Sequence, residues 1–137
     1  MKKVFITGTF RNEWNKGFNL RLCEYLEKNG CTCYLPQRNT EQKGNRKNTF
    51  EQNIAGILGS DIIVAIGAKT QTANWGLEIG YGYAMNKQVV VLTDRGHPVE
   101  LMPEGAAGEV LSVDSLDDLA GYGDRLLGCI SKMGKAA

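Results

Sequence analysis

Histidine, proline and long apolar runs are scarce in this chain. Its one histidine, His97, stands beside Pro98 in a polar stretch and reads as a surface residue rather than a catalytic base. Cysteine is sparse too: Cys23, Cys31, Cys33 and Cys129. Cys31 and Cys33 form a C-x-C in a strand-like run, with both side chains pointing the same way. No second pair stands at zinc-finger spacing, so buried reduced thiols are the expectation and metal is not. Reduced thiols fit a cytoplasmic protein. No stretch approaches the length of a membrane span. Met1-Lys2-Lys3 has the charge of a secretory n-region, but Val4-Phe5-Ile6 is far too short for the apolar segment that should follow. An excess of one charge is also missing: 16 Lys and Arg against 15 Asp and Glu leave a net +1. No overall field draws the chain to nucleic acid or to an anionic membrane, so any bound anion must be held by a local site. There is no internal repeat and no linker. A chain of 137 residues is enough for one domain, 1–137, around one sizeable core.

What is present is an alternation of apolar runs with helical periodicity. Lys3 to Thr7 reads as a buried strand. Phe18, Leu22, Tyr25 and Leu26 give a helix stripe closed by Asn29-Gly30. Cys31 to Leu35 is a second strand, stopped by Pro36, and Gln37 to Asn48 a polar, basic loop. Thr49 and Gln52 have capping-box spacing, with Phe50, Ile54, Ile57 and Leu58 as the face of the next helix. Asp61 to Ile66 is the clearest buried strand, Gly67 to Ala73 a loop, and Asn74 to Asn86 a glycine-rich helix. Gln88 to Thr93 is strand four. A loop carrying Pro98 and Pro103 leads to a short strand, Glu109 to Val113, and a last helix carries Leu116, Leu119, Leu126, Leu127 and Ile130 before Lys132 to Ala137 frays.

Strands alternating with helices through short loops imply right-handed crossovers and a parallel sheet. Five strands suit a flavodoxin-like (Rossmann-like), doubly wound α/β fold in three layers. Ligands of such sheets sit at the carboxyl ends of the strands, at the switch point beside strand one. That directs attention to Gly8–Gly17 and Gly67–Ala73, with Gln37 to Asn48 as a lid.

Two segments there carry chemistry. In Thr7-Gly8-Thr9-Phe10-Arg11, Gly8 permits a tight turn, Thr9 offers a hydroxyl and a backbone N–H, and Arg11 can grip a phosphate with its fork. No Gly-Lys-Ser/Thr follows, so it is not a Walker A loop. The second segment runs from Thr72 to Gly82. Asn74 is placed as the N-cap, which sets Glu78 in the first turns, where the helix dipole favours its ionised form by up to about 1 kcal/mol. Gly76, Gly80 and Gly82 each cost about 1 kcal/mol of helix stability relative to Ala. Three in one helix point to close approach of a ligand or a neighbouring element. Trp14 and Trp75 could stack on a base or simply pack; Tyr81 and Tyr83 are expected in the core, and Asp61 in a turn.

With F-I-T-G-T-F, D-I-I-V-A and N-W-G-L-E-I-G-Y-G-Y-A-M-N-K, the stretch from about Lys3 to Leu92 resembles the nucleoside 2-deoxyribosyltransferase superfamily, which includes the 2'-deoxynucleoside 5'-phosphate N-hydrolases. The resemblance implies that Glu78 is the nucleophile on the anomeric carbon of a nucleoside or nucleotide. It also implies a double displacement of the kind retaining glycosidases use, with no cofactor, and a homodimer or higher homo-oligomer. Transferases of this group usually carry an aspartate six residues before the nucleophile, where this chain has Thr72. The nucleotide hydrolases use a hydroxyl there, with a G-[ST]-x-R loop, to hold the 5'-phosphate, and Thr72, Thr9 and Arg11 fit that pattern. Glu100, near where the hydrolases place another phosphate-binding hydroxyl, pulls the other way. Asn53 replaces the common aspartate that contacts the sugar; an amide can hydrogen-bond the sugar but cannot shuttle a proton. Competing readings are a flavin-binding electron carrier, with Thr7-Gly8-Thr9 around the flavin phosphate, and a non-catalytic nucleotide sensor. A receiver domain is excluded, since strand three ends Ile66-Gly67 with no phosphorylatable aspartate.

Overall fold

The computed structural model describes residues 2–69 and 71–133. Lys132 ends the last helix, and the rest of the tail expected to fray, 134–137, lies outside the described residues. Five strands, β1 (Lys3–Thr7), β2 (Thr32–Tyr34), β3 (Ile62–Ile66), β4 (Gln88–Asp94) and β5 (Glu109–Val113), pair in parallel in the order β2-β1-β3-β4-β5. The helices among the described residues are α1 (Glu13–Lys28), α2 (Pro36–Asn39), α3 (Arg46–Leu58), α4 (Ala73–Ala84), α5 (Leu101–Ala106) and α6 (Leu119–Lys132).

The side-chain period of two along each strand splits the core into two layers. Val4, Ile6, Val64 and Leu92 meet Phe18, Leu22 and Leu26 of α1 and Leu126 and Ile130 of α6. Phe5, Ile63, Ala65 and Val91 face the other way, onto Ile57 of α3 and Trp75 and Ile79 of α4. Each fully buried aliphatic or aromatic side chain contributes about 1.5–3 kcal/mol. β3 is buried along its whole length, as a central parallel strand covered on both faces must be. The expected doubly wound, three-layer α/β sheet is therefore the fold. From β1 the chain crosses to β2 on one side, while β3 pairs on the other. The carboxyl ends of β1 and β3 thus open a crevice.

Several local expectations are corrected. Pro36, read as a strand stop, also opens α2; its preset φ and missing N–H suit a first helical turn. The polar loop before α3 is shorter than expected, because the cap lies a turn earlier. Asn45 accepts from the Lys47 N–H at 2.7 Å, whereas Thr49 donates to the Glu41 and Asn45 carbonyls and Gln52 accepts from the Glu41 N–H. Along α3 only Ile57 of the four expected face residues is fully buried; Phe50 is 54% and Leu58 46% exposed. The loop with Pro98 and Pro103 contains α5, where Pro103 falls in the first turn and breaks no intrahelical bond. Thr72, not Asn74, caps α4: its Oγ1 accepts from the Trp75 N–H at 3.2 Å. Of the α4 glycines only Gly82 serves close packing. A Cβ there would collide with Ile63 of β3, while one at Gly76 or Gly80 meets nothing. Tyr81 packs at the edge of the core, but Tyr83 is 60% exposed rather than buried. Asp61 behaves as expected at the turn into β3, its carboxylate accepting from the Lys3 N–H.

Candidate active site

A cavity of about 430 Å³ occupies the switch-point crevice. One wall is the end of β1 and its loop, Thr7 to Arg11, with Thr72, Asn74, Trp75, Leu77 and Glu78 of the α4 start. The other is Pro36, Gln42 and Gly44 with Arg46, Thr49, Phe50, Asn53 and Ile54 of α3. Of the residues expected to bind substrate or act in catalysis, Thr7 to Arg11, Asn53, Thr72, Asn74, Trp75 and Glu78 line this cavity and Gly76 does not. His97 and Glu100 do not line it either. His97 Nδ1 lies 2.7 Å from Asp94 at the end of β4, and Glu100 is exposed ahead of α5. Trp14 is turned away, stacked on Phe18 at 4.8 Å with its Nε1–H donated to Asp117. Trp75 is only 3% exposed and packs against the sheet, so its size serves the core more than base stacking.

Glu78 is the only carboxylate among the described residues that line the cavity. It lies in the second turn of α4 and is half-buried, and the buried Thr7 hydroxyl donates to its Oε1 at 2.6 Å. The dipole was expected to favour the ionised form, but desolvation by burial dominates. The carboxyl is pushed above the ordinary glutamate range, with the Thr7 hydrogen bond opposing that rise. Burial strips water from the carboxylate and raises its basicity, while Oε2 makes no hydrogen bond within the described residues.

The β1 loop is shaped from beneath by Asn19, a fully buried residue of α1. Its Nδ2 donates to the Gly8 carbonyl at 3.4 Å, the Thr9 carbonyl at 3.1 Å and Gln37 Oε1 at 2.9 Å. A planar trans peptide points its N–H opposite to its carbonyl. The N–H groups of Thr9 and Phe10 therefore point away from Asn19, and neither has a hydrogen-bond partner among the described residues. Gly8 is needed for this approach: a Cβ would stand 3.1 Å from both Asn19 Oδ1 and Ile66 Cδ1. Thr9 Oγ1 accepts from the Arg11 N–H at 3.3 Å. Two guanidinium groups, Arg11 and Arg46, line the cavity from opposite walls, and neither pairs with a carboxylate among the described residues. Asn19 was invisible to a motif search, and Arg46 was one basic residue among several in a polar stretch.

On the far wall, Asn53 accepts at Oδ1 from the Thr40 hydroxyl at 2.6 Å, and Thr40 Oγ1 lies 2.5 Å from the Tyr34 hydroxyl. Phe50 and, across the cavity, Leu77 (59% exposed) add apolar surface beside these polar groups.

The family model for nucleoside 2-deoxyribosyltransferases matches residues 4–120. The chain belongs to the nucleoside 2-deoxyribosyltransferase family. No curated protein sequence gives a significant match. Among solved structures, this family member is similar to a 2-deoxyribosyltransferase from Bacillus psychrosaccharolyticus, with a TM-score of 0.73 and 21% identity over 88% of this chain and 91% of that one. A CMP N-glycosidase from Clostridium botulinum, BcmB, is similar with a TM-score of 0.66 and 15% identity over 90% and 99% of the two chains. At these identities the likeness speaks for the fold, a deoxyribosyltransferase-type α/β sheet. The family is one of enzymes.

Outside the cavity, the ligand atoms of Cys23, Glu27 and Cys33 lie within 4.8 Å of one another. Arg38 binds both Glu27 oxygens, at 2.9 and 3.0 Å. The Cys33 thiol, hydrogen-bonded to Cys23, is pushed far up by that bond and by burial. These groups satisfy one another as an ion pair and a buried thiol pair. No helix among the described residues is long and apolar enough to cross a membrane.

Proposed function

We propose that this enzyme hydrolyses the N-glycosidic bond of a 2'-deoxynucleoside 5'-monophosphate, with Glu78 as nucleophile. Glu78 attacks the anomeric carbon, the base leaves, and a glycosyl ester on Glu78 is released by water. The observation that carries the reading is the contrast within one cavity. Among the described residues, one carboxylate shares the cavity with two backbone N–H groups of the β1 loop and with Arg11 and Arg46, none of which is paired there. Such donors suit a dianionic phosphate better than a neutral hydroxyl. Thr72 supports the same end: its acceptor lone pair serves the α4 cap, and its O–H remains free for a phosphate oxygen. The likeness to a CMP N-glycosidase agrees with a nucleotide substrate. Asn53 holds the sugar as an amide.

The exchange of nucleobases between deoxynucleosides is the second reading, favoured by the likeness to a 2-deoxyribosyltransferase. Incubation with nucleosides and their 5'-monophosphates, with and without an added base, separates the two. Release of free base from monophosphates supports hydrolysis. Sugar transfer from unphosphorylated nucleosides, faster than water attack, would overturn it.

The exposed apolar side chains Phe50, Leu58, Leu77 and Tyr83 on α3 and α4 support self-association as a homodimer or larger homo-oligomer. Four free thiols support a reducing, cytoplasmic setting.

A further inference from the structure

Asn53 reaches the cavity wall, but what holds it lies behind that wall. Tyr34 on β2 and Thr40, after α2, do not line the cavity. Tyr34 is fixed from three sides. Its ring stacks on Phe5 at 5.5 Å with planes 10° apart, and α3 presses on it at Gly56, where a Cβ would stand 2.8 Å from the ring. Its hydroxyl lies 2.5 Å from Thr40 Oγ1. Thr40 is 5% exposed and reaches Asn53 Oδ1 at 2.6 Å.

Counting protons gives this chain a direction. If the Asn53 amide were turned to donate to Thr40, Thr40 would donate to Tyr34, and the Tyr34 proton would have no acceptor among the described residues. In the other sense every proton is used: Tyr34 donates to Thr40, and Thr40 donates to the Asn53 oxygen. The Asn53 NH2 then has no partner among the described residues, and it is not among the occluded polar atoms.

We propose that Tyr34 and Thr40 are positioning residues that lock the Asn53 amide with its oxygen inward and its NH2 presented to the sugar as a donor. The locked amide selects an oxygen with a free lone pair, such as a sugar hydroxyl or ring oxygen, at that point of the cavity. The assignment of that oxygen to a sugar rests on the function proposed above; the orientation of the amide does not.

Two measurements test it. The first is solvent exchange of the Asn53 side-chain NH2 in the wild-type protein by NMR, its signals assigned by their loss in Asn53→Leu. Both protons should exchange fast, and a protected proton would overturn the proposal. The second is base release from a panel of 2'-deoxynucleoside 5'-monophosphates by Thr40→Val, Thr40→Ser and Tyr34→Phe. Thr40→Val should lower kcat/KM about tenfold, as loss of one hydrogen bond's ordering does. Thr40→Ser should restore it, and Tyr34→Phe should have a smaller effect in the same direction. On an Asn53→Leu background Thr40→Val should add nothing further, whereas a full additive loss would show that Thr40 acts elsewhere and sink the idea. Should Thr40→Val fail to fold, Thr40→Ser and the exchange measurement still decide. A wild type that releases no base refutes the proposed function, and the exchange rates then judge the amide on their own.

Discussion

The two walls of the cavity are built on different principles. The wall carrying Glu78 is anchored to the buried end of β1: Thr7 closes the strand, and Asn19 fixes the loop from inside α1. The wall carrying Asn53 rests on the edge strand β2, a four-residue helix and the half-exposed α3. On the first wall burial pushes the Glu78 carboxyl above the ordinary glutamate range. On the second a relay of hydroxyls sets the direction of an amide. The carboxylate thus stands on the wall built from the buried centre of the sheet, and the amide on the wall built at the sheet's edge.

The largest expected effect breaks the first wall. Glu78→Gln keeps the shape and an acceptor for Thr7, so the protein should fold. Base release should fall on the order of 10³-fold or more, as loss of a nucleophile does. Near wild-type turnover, or a trapped glycosyl adduct on a peptide lacking Glu78, would reassign the nucleophile.

Arg11 tests whether the stiff wall also holds phosphate. A charge-assisted hydrogen bond contributes about 1.5–3 kcal/mol, so Arg11→Ala should weaken a monophosphate tenfold or more and leave the matching nucleoside nearly unchanged. Equal losses for both substrates would remove the phosphate from this loop. Arg46→Ala sharpens the comparison: a loss confined to the monophosphate would show that both walls close on the anion.

Asn53 probes the second wall, and its loss should cost at least the roughly tenfold expected of Thr40→Val. A sugar hydroxyl can accept from an amide or donate to a carboxylate, so Asn53→Asp should preserve binding and raise turnover by restoring an acid. Asn53→Leu should weaken binding. Unchanged affinity in the leucine variant would place the substrate away from α3.

The difference between the walls also explains what could be read from residues alone. Strands β1, β3 and β4 are covered on both faces, so their unbroken apolar runs announce them, and the switch point follows from their order. Glu78, Thr9 and Arg11 sit directly on these landmarks. Around α2, α3 and α5 the signals mislead. Thr49 and Gln52 imitate a cap that Asn45 provides, Pro103 hides a helix, and the apolar residues of α3 serve the cavity as much as the core. Asn19 and Thr40 act through contacts made only after folding, and no spacing rule marks them. The dipole argument for Glu78 left out burial, which pushes its carboxyl up against the Thr7 hydrogen bond and is not legible before the chain folds.

The acid limb of the pH–rate profile follows from that burial. The nucleophile must be ionised, so activity should fall as pH drops through a value above the ordinary glutamate range. Thr7→Val removes the one hydrogen bond that favours the carboxylate and should move this limb to still higher pH. A limb at the ordinary glutamate value in both proteins would mean that water reaches Glu78 freely in solution.

The smallest effect is one of stability. Because its pKa is raised in the native state, Glu78 binds its proton more tightly folded than unfolded. Between the ordinary glutamate value and the raised one, unfolding releases protons. Stability therefore falls as pH rises through that window and levels off above it. Glu78→Gln has no proton to lose, so it should match the wild type below the window and exceed it above. The gain should be no more than a few degrees in Tm, because the Thr7 hydrogen bond offsets part of the desolvation. Thermal melts of both proteins across the acid range measure the difference directly. A gap that is constant with pH would trace the variant's stability to packing, and a gap that closes as pH rises would reverse the sign of the burial effect on which the Glu78 wall depends.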